Sequence, residues 1–280
     1  MKGVGGLYSV KTESCIYDCS ARGLFRLKEI TPLVGDRVEI ECDSDQTGVI
    51  CGIETRVNEL IRPRVANVTQ AAIVFAARKP AVSFELLDRF LIMSEQVNVT
   101  PLICINKVDL AKDDSALKEI TGDYEKAGYR FLILSAKKGE GLDELRAALK
   151  NQISVLAGPS GVGKTSLINA LTPERNLATG ELSRKIDRGK HTTRHAELME
   201  LEKDSFLVDT PGFTSLNLTI TEEGLATYYP EFRPYAGECF FNNCFHETEP
   251  DCAVKAQVGV TIGERRYERY LGFLKEIRGN

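Results

Sequence analysis

No stretch of this 280-residue sequence reaches the roughly 18 consecutive apolar residues that a membrane-crossing helix needs. The N-terminal MKGVGGLYSV also lacks a charged region followed by a long apolar run. The expectation is a soluble chain of the cytoplasm, not a membrane or secreted protein. An excess of basic charge is missing too, since the formal net charge is -4. Nucleic-acid backbones are ordinarily met by net positive surfaces, so non-specific adhesion is excluded, DNA is not an expected partner, and any RNA contact must be local. No internal repeat or low-complexity tract occurs. Histidine is scarce, with three in the chain, which leaves few candidates for proton transfer near neutral pH.

What is present divides into three regions. Residues 1–65 carry short alternating or β-branched runs (LYSV, SCIYDC, RVEIEC, TGVICGIE) separated by turn residues such as Gly23, Gly35 and Gly48. Such spacing predicts a small antiparallel barrel of OB type, with an SH3-like barrel or a ligand-free capping domain as alternatives. Residues 66–220 alternate buried apolar runs (AAIVFAA, PLICINK, FLILSAK, ISVLA, SFLVDT) with amphipathic stretches at Phe84–Val97 and Leu142–Lys150, which predicts a parallel, doubly wound α/β domain. Residues 221–280 read as helical, with an irregular Cys/His segment and a charged helix around Gly263–Ile277. Five scattered cysteines, Cys15, Cys19, Cys42, Cys51 and Cys104, read as ordinary thiols in a reducing compartment.

Four motifs each follow a predicted parallel strand, at the carboxyl ends where such sheets bind ligands. Gly158-Pro159-Ser160-Gly161-Val162-Gly163-Lys164-Thr165-Ser166 fits the phosphate-binding pattern G-x4-G-K-S/T. Its glycines let backbone N–H groups turn onto phosphate oxygens, Lys164 reaches the terminal phosphates, and the Thr165 hydroxyl suits magnesium. In Asn106-Lys107-Val108-Asp109, one carboxylate, that of Asp109, can accept the two adjacent N–H donors of guanine. Adenine would leave that carboxylate unpaired. The Lys107 stem can cover the base and Asn106 can tie neighbouring loops; NKVD alone also reads as a strand-end turn. Ser135-Ala136-Lys137 fits a loop offering a backbone N–H to guanine O6, a weak signal by itself. Asp209-Thr210-Pro211-Gly212 fits a second magnesium motif, with Asp209 holding the ion and the Gly212 N–H meeting the γ-phosphate. Four independent turns are a poor account of this agreement.

In the translation-factor-like GTPases the phosphate loop comes first and NKxD late. Here the order is NKVD, SAK, phosphate loop, DTPG, which a circular permutation explains: chain ends close at the surface are joined and a new opening is made elsewhere. With a barrel before and a Cys/His segment after, the sequence resembles the ribosome small-subunit-dependent GTPase A (RsgA, YjeQ/YloQ) family over essentially its whole length. The resemblance rests on NKVDL, SAKKGEGLDEL, GPSGVGKTSLINAL, GKHTTRH, DTPGF and CFFNNCFHETEPDC. Other permuted GTPases share the order without these flanking domains.

The resemblance implies GTP hydrolysis stimulated by the small ribosomal subunit, late in that subunit's maturation, with its rRNA as a contact and the chain acting as a monomer. It also implies that His191 positions the attacking water. Where the family often carries a longer threonine run, this chain has His191-Thr192-Thr193-Arg194, and Thr193, adjacent to Arg194, with Thr192 next, is the threonine expected to close on magnesium; a polar loop is the alternative reading of this stretch. Phe213 stands where many related GTPases carry a water-orienting glutamine, so catalysis must come from elsewhere. His195 is expected to be structural. Arg184, Lys185, Arg188, Lys190 and Arg194 oppose only Asp187, a run suited to RNA phosphates or simply an exposed loop. A GTP-gated RNA-binding assembly factor is the competing function. A small-molecule kinase would share the phosphate loop but predicts neither NKVD nor DTPG.

Cys239-x4-Cys244-x-His246-x5-Cys252 supplies three thiolates and an imidazole, enough to close a tetrahedral structural zinc shell. Three cysteines cannot pair fully as disulfides. Permutation sends the chain from Asp209 and Gly212 straight into this segment, so the nucleotide state is expected to reposition it.

Overall fold

The computed structural model describes residues 2–4, 6–27, 29–43, 45–61, 63–111, 114–173, 197–209 and 220–279. The N-terminal strands β1 (Lys2–Val4), β2 (Leu7–Lys11) and β3 (Ile16–Ala21) form an antiparallel meander. A short helix α1 (Gly23–Leu27) leads to the hairpin of β4 (Val38–Cys42) and β5 (Thr47–Ile53), and β5 returns parallel to β3 from Asp18↔Thr47 to Ala21↔Ile50. The spatial order β1-β2-β3-β5-β4, with the helix between the third and fourth strands, is the five-stranded Greek-key arrangement of an OB-type barrel. Its core is small, with Cys19, Phe25 and Ile50 buried and Tyr8, Val10, Val38 and Ile40 packed around them. A two-stranded ribbon, β6 (Glu59–Ile61) and β7 (Arg64–Ala66), follows, and its Val65 bridges back to Val34.

The α/β layer is built from β8 (Gln70–Ala76), α2 (Phe84–Gln96), β9 (Thr100–Asn106), α3 (Asp114–Lys126), β10 (Arg130–Ile133), α4 (Leu142–Leu149), β11 (Ile153–Ala157), α5 (Lys164–Leu171), β12 (Glu197–Glu202) and β13 (Ser205–Asp209). Every residue of β8 is buried, because helices cover both faces of the sheet and a strand so placed has no solvent side. Its alternation survives as a choice of core. Ala71, Ile73 and Phe75 pack with Leu87 and Leu91 of α2, whereas Ala72, Val74 and Ala76 pack with Leu145 of α4 and Leu167 of α5. Each large side chain so buried contributes roughly 1.5–3 kcal/mol of transfer free energy. Cys104 lies fully buried in the second core, and burial pushes its thiol up to about 12, which leaves it protonated and inert.

The strand order β10-β9-β8-β11-β13-β12 puts β11, which feeds the phosphate loop, at the centre between the parallel neighbours β8 and β13. β12 runs antiparallel to β13. The sequence reading keeps the barrel and the α/β sheet separate, but β1 pairs with β12 at Lys2↔Glu197, making one sheet of eleven strands. The pairing covers an edge that would otherwise expose unpaired backbone groups. Lys11 of β2 reinforces it by an ion pair to Glu200 and by lying 5.6 Å from the Phe206 ring centroid.

Residues 220–279 form short turns around one long helix, Glu264–Gly279. Leu225, Tyr229, Phe232, Val254, Ile262, Tyr270, Phe273 and Leu274 make a third core, which Ile92 of α2 enters from the α/β layer. No helix among the described residues is long and apolar enough to cross a membrane.

Candidate nucleotide site and metal centre

The phosphate loop leaves β11 through backbone that side chains resist. Gly158 has φ +129°, and a Cβ there would lie 2.1 Å from the Val74 carbonyl oxygen. Gly163 has φ +99°, and a Cβ there would meet the Asn106 amide nitrogen at 2.4 Å. Both positions admit only glycine, one because β8 is adjacent and the other because the NKVD loop presses on the start of α5. The loop curls around the Lys164 ammonium, which donates to the Gly158 and Pro159 carbonyl oxygens at 2.7 Å each. Burial pushes that ammonium below the ordinary lysine value.

Asn106, the last residue of β9, is 1% exposed and joins two of the motifs. Its Nδ2 donates to the Val162 carbonyl in the phosphate loop at 2.9 Å, and its Oδ1 accepts from the Ala136 N–H at 3.1 Å. Lys107 takes a left-handed conformation, φ +61°, and turns the chain into the 3-10 segment Val108–Leu110. Its ammonium donates to the carbonyls of Gly161 and Lys79, so its stem spans the space between loop and strand end. The Asp109 carboxylate accepts from the Ser135 hydroxyl at 2.7 Å. That bond, with the residue's own N–H and the nearby Lys137 and Lys138, holds the carboxyl below the usual carboxylate range despite some desolvation. Of the loop expected to offer a backbone N–H to guanine, the Ala136 N–H is already engaged by Asn106. Asp209 ends β13 beside β11, where Val155 pairs with Val208, at the same rim as the loop.

In the C-terminal segment the donor atoms of Cys239, Cys244, His246 and Cys252 all lie within 4.8 Å of one another. Cys239 Sγ is 3.8 Å from Cys252 Sγ, and His246 Nδ1 is 3.6 Å and 3.4 Å from those two sulfurs. A tetrahedral ion with metal–sulfur bonds of about 2.3 Å would place its ligand atoms about 3.8 Å apart. The four residues therefore fit a tetrahedral metal shell. Their backbone is held by Tyr267, which donates to the His246 carbonyl at 2.6 Å, and Tyr270, which donates to that of Phe245 at 2.7 Å. The Glu249 carboxylate folds the loop by accepting from the N–H groups of Phe245 and Glu247 at 2.8 Å each.

Comparison with known proteins matches residues 53–219 to the RsgA GTPase family model and residues 1–50 to the RsgA N-terminal domain. The chain belongs to the RsgA GTPase family. The small ribosomal subunit biogenesis GTPase RsgA of Clostridium kluyveri is 47% identical over 279 residues, 99% of this chain and 96% of the relative. The protein of the same name from Alkaliphilus metalliredigens is 45% identical, over 100% and 97%. Among solved structures, YloQ, described as a circularly permuted GTPase, is 38% identical with a TM-score of 0.85, covering 99% of this chain and 93% of its own. YjeQ from Thermotoga maritima is 37% identical with a TM-score of 0.88, covering 99% and 96%. The expected fold is borne out on these grounds: this RsgA-family chain is a circularly permuted GTPase with an N-terminal barrel.

Several expected site residues lie outside the described residues: His191, Thr192, Thr193 and Gly212, together with His195, Phe213 and the basic run Arg184, Lys185, Arg188, Lys190 and Arg194. Asp209 is described only through its backbone. Sequence reasoning missed a different cluster. Arg266, fully buried, donates to Asp88 of α2 at 2.5 Å, to Glu231, and to the Tyr129 hydroxyl at 3.2 Å. The rings of Tyr124, Tyr129 and Tyr229 surround its guanidinium at 5.2, 5.2 and 4.7 Å. The signal was available in helical spacing. Arg266 shares a stripe with Tyr270, Phe273 and Leu274, and Asp88 one with Phe84 and Leu91, so each helix carries a charge on its apolar face.

Proposed function

We propose that this chain binds GTP with magnesium across the rim of β9, β10, β11 and β13 and hydrolyses it when engaged by the small ribosomal subunit, late in that subunit's maturation. The observation that carries the nucleotide reading is Asn106, whose two hydrogen bonds lock the phosphate loop to the Ser135–Lys137 loop while Ser135 orients Asp109. In this reading Asp109 accepts two guanine N–H groups, Lys107 covers the base, and guanine O6 shares the Ala136 donor with Asn106. Backbone N–H groups between Ser160 and Ser166 cradle the phosphates, whose charge offsets the burial of Lys164. Thr165, Asp209 and Thr193 would hold magnesium, which neutralises charge on the terminal phosphates. His191 orients the water. Cys239, Cys244, His246 and Cys252 would hold one zinc ion, closed to substrate and therefore structural.

The subunit assignment is supported by the names of the relatives and a net charge that suits one defined partner over general RNA binding. In the same reading residues 1–65, 66–220 and 221–280 act as barrel, GTPase and metal-binding units of a cytoplasmic monomer. Two measurements test it. GTP should displace a fluorescent guanine nucleotide where ATP does not, with the preference lost in Asp109→Ala. The chain should also co-sediment with purified small subunits in the presence of a non-hydrolysable GTP analogue and release with GDP. Equal competition by ATP, or sedimentation indifferent to the nucleotide, would count against it.

A further inference from the structure

The Cys/His segment presents a surface that neither the metal centre nor the nucleotide site uses. Phe240 is 75% exposed and Phe241 44%, and their rings meet edge to face with centroids 5.0 Å apart. Both sit between Cys239 and Cys244, and the Phe240 N–H donates to the Asp251 carbonyl at 3.4 Å. The pair therefore stands on a tied loop, outside the core that Phe232 and Tyr270 fill nearby. Two adjacent exposed aromatics on an ordered loop mark an interaction surface more than a packing remainder.

Charge around the rings decides what fits there. From Ala236 to Val254 the chain carries Glu238, Glu247, Glu249 and Asp251 and no lysine or arginine. Glu247 is paired with Arg278 at 2.6 Å, and Glu249 is spent on backbone N–H groups. Glu238 and Asp251 stay exposed, one two residues before Phe240 and the other joined to it through the backbone. A nucleic-acid backbone brought to this face would meet the carboxylates of Glu238 and Asp251, while the cations beside the loop are engaged, Lys255 on the Glu249 carbonyl and Arg278 on Glu222 and Glu247. A guanidinium would meet ring faces that attract it, carboxylates that form charge-assisted bonds, and apolar surface for its stem.

We propose that the Phe240–Phe241 face docks an arginine-bearing basic segment of a protein partner, one of the proteins of the small ribosomal subunit. The choice of subunit rests on the function proposed above; the preference for protein over RNA rests on the face itself. The test places p-benzoylphenylalanine at 241 in the full chain, binds it to purified small subunits with a non-hydrolysable GTP analogue, and irradiates. The expected cross-link is to a protein, within an Arg/Lys-rich peptide. Phe240→Ala with Phe241→Ala should weaken subunit binding about tenfold or more, as truncation of aromatic anchors does. Glu238→Lys should weaken it in the same direction, while metal content and the turnover of the free chain stay unchanged. Cross-linking to rRNA alone, no cross-link from a chain that has co-sedimented, or wild-type binding by the double variant would overturn the proposal. Failure of the wild-type chain to co-sediment would overturn the subunit reading, and this proposal with it.

Discussion

Replacing Arg266 with methionine removes the buried cation that fastens the C-terminal helix to α2. Methionine keeps the apolar length of the side chain but abandons Asp88, Glu231 and the Tyr129 hydroxyl together. Asp88 retains Arg269 and the Tyr124 hydroxyl, at 2.7 Å for the latter. Glu231 retains nothing: its Oε2 already has no hydrogen-bond partner among the described residues, and its Oε1 loses the one it has. Removing one partner from a buried ion network costs about 3–5 kcal/mol, because a desolvated charge is left uncompensated. At about 1.36 kcal/mol per factor of ten, that is roughly two to four powers of ten in a local opening equilibrium. Native-state hydrogen exchange reads the opening directly. Amides of Glu264–Gly279 should exchange faster by about that factor, while those of β8 and β9 change far less. Adding Glu231→Gln to Arg266→Met should recover part of the loss by removing the abandoned charge. Acceleration of less than tenfold in the C-terminal helix would refute the claim that this network holds the segment in place.

Asn106→Ala leaves the buried Val162 carbonyl unpaired, at about 1–3 kcal/mol, and unties the half-buried Ala136 N–H, so the two loops lose their link and GTP affinity measured calorimetrically should fall at least tenfold. Because the Ser135 bond holds the Asp109 carboxyl below the ordinary range, it stays ionised as the pH drops, and the ratio of wild-type to Asp109→Ala affinity for GTP, in which titration of the nucleotide's own phosphate at about pH 6 cancels, should be flat from about pH 8 to about pH 5. A ratio that collapses above about pH 5 would contradict recognition by the Asp109 carboxylate. If Cys239, Cys244, His246 and Cys252 hold a zinc ion as proposed, a chelator should raise exchange across residues 239–252 and leave GTP binding intact, with recovery on adding one equivalent of zinc. Lys11→Met removes an ion pair whose side chains are 30% and 29% exposed while keeping the apolar stem, so the loss should stay near about 1 kcal/mol or less and the melting temperature should move by only a few degrees.

The parts of the site legible in the sequence are those whose chemistry is local. GPSGVGKTS needs glycine at 158 and 163 for steric reasons that act over a few ångströms, and the C-x4-C-x-H-x5-C spacing brings its own donors together. The strand-helix alternation was readable for a similar reason, since each buried run and each amphipathic stretch carries its own period. What stayed hidden depends on pairs far apart in the chain. The Lys2↔Glu197 pairing that merges barrel and GTPase sheet joins two short strands, neither of which announces its partner. Arg266 and Asp88 each put a charge on an apolar helix face, a local sign of burial, but neither names the other as its partner until the helices are packed together. The bond between Asn106 and Ala136 lies between these cases: both motifs are legible in the sequence, but not that the Asn106 amide oxygen takes the Ala136 N–H.

In the proposed function the permuted guanine-nucleotide site turns over quickly only with a partner bound. Multiple-turnover GTP hydrolysis by the full chain, alone and with purified small ribosomal subunits, decides whether it does. Slow turnover alone and a rise of at least tenfold with small subunits, abolished in His191→Ala, is the predicted result; equal rates with and without subunits would contradict it.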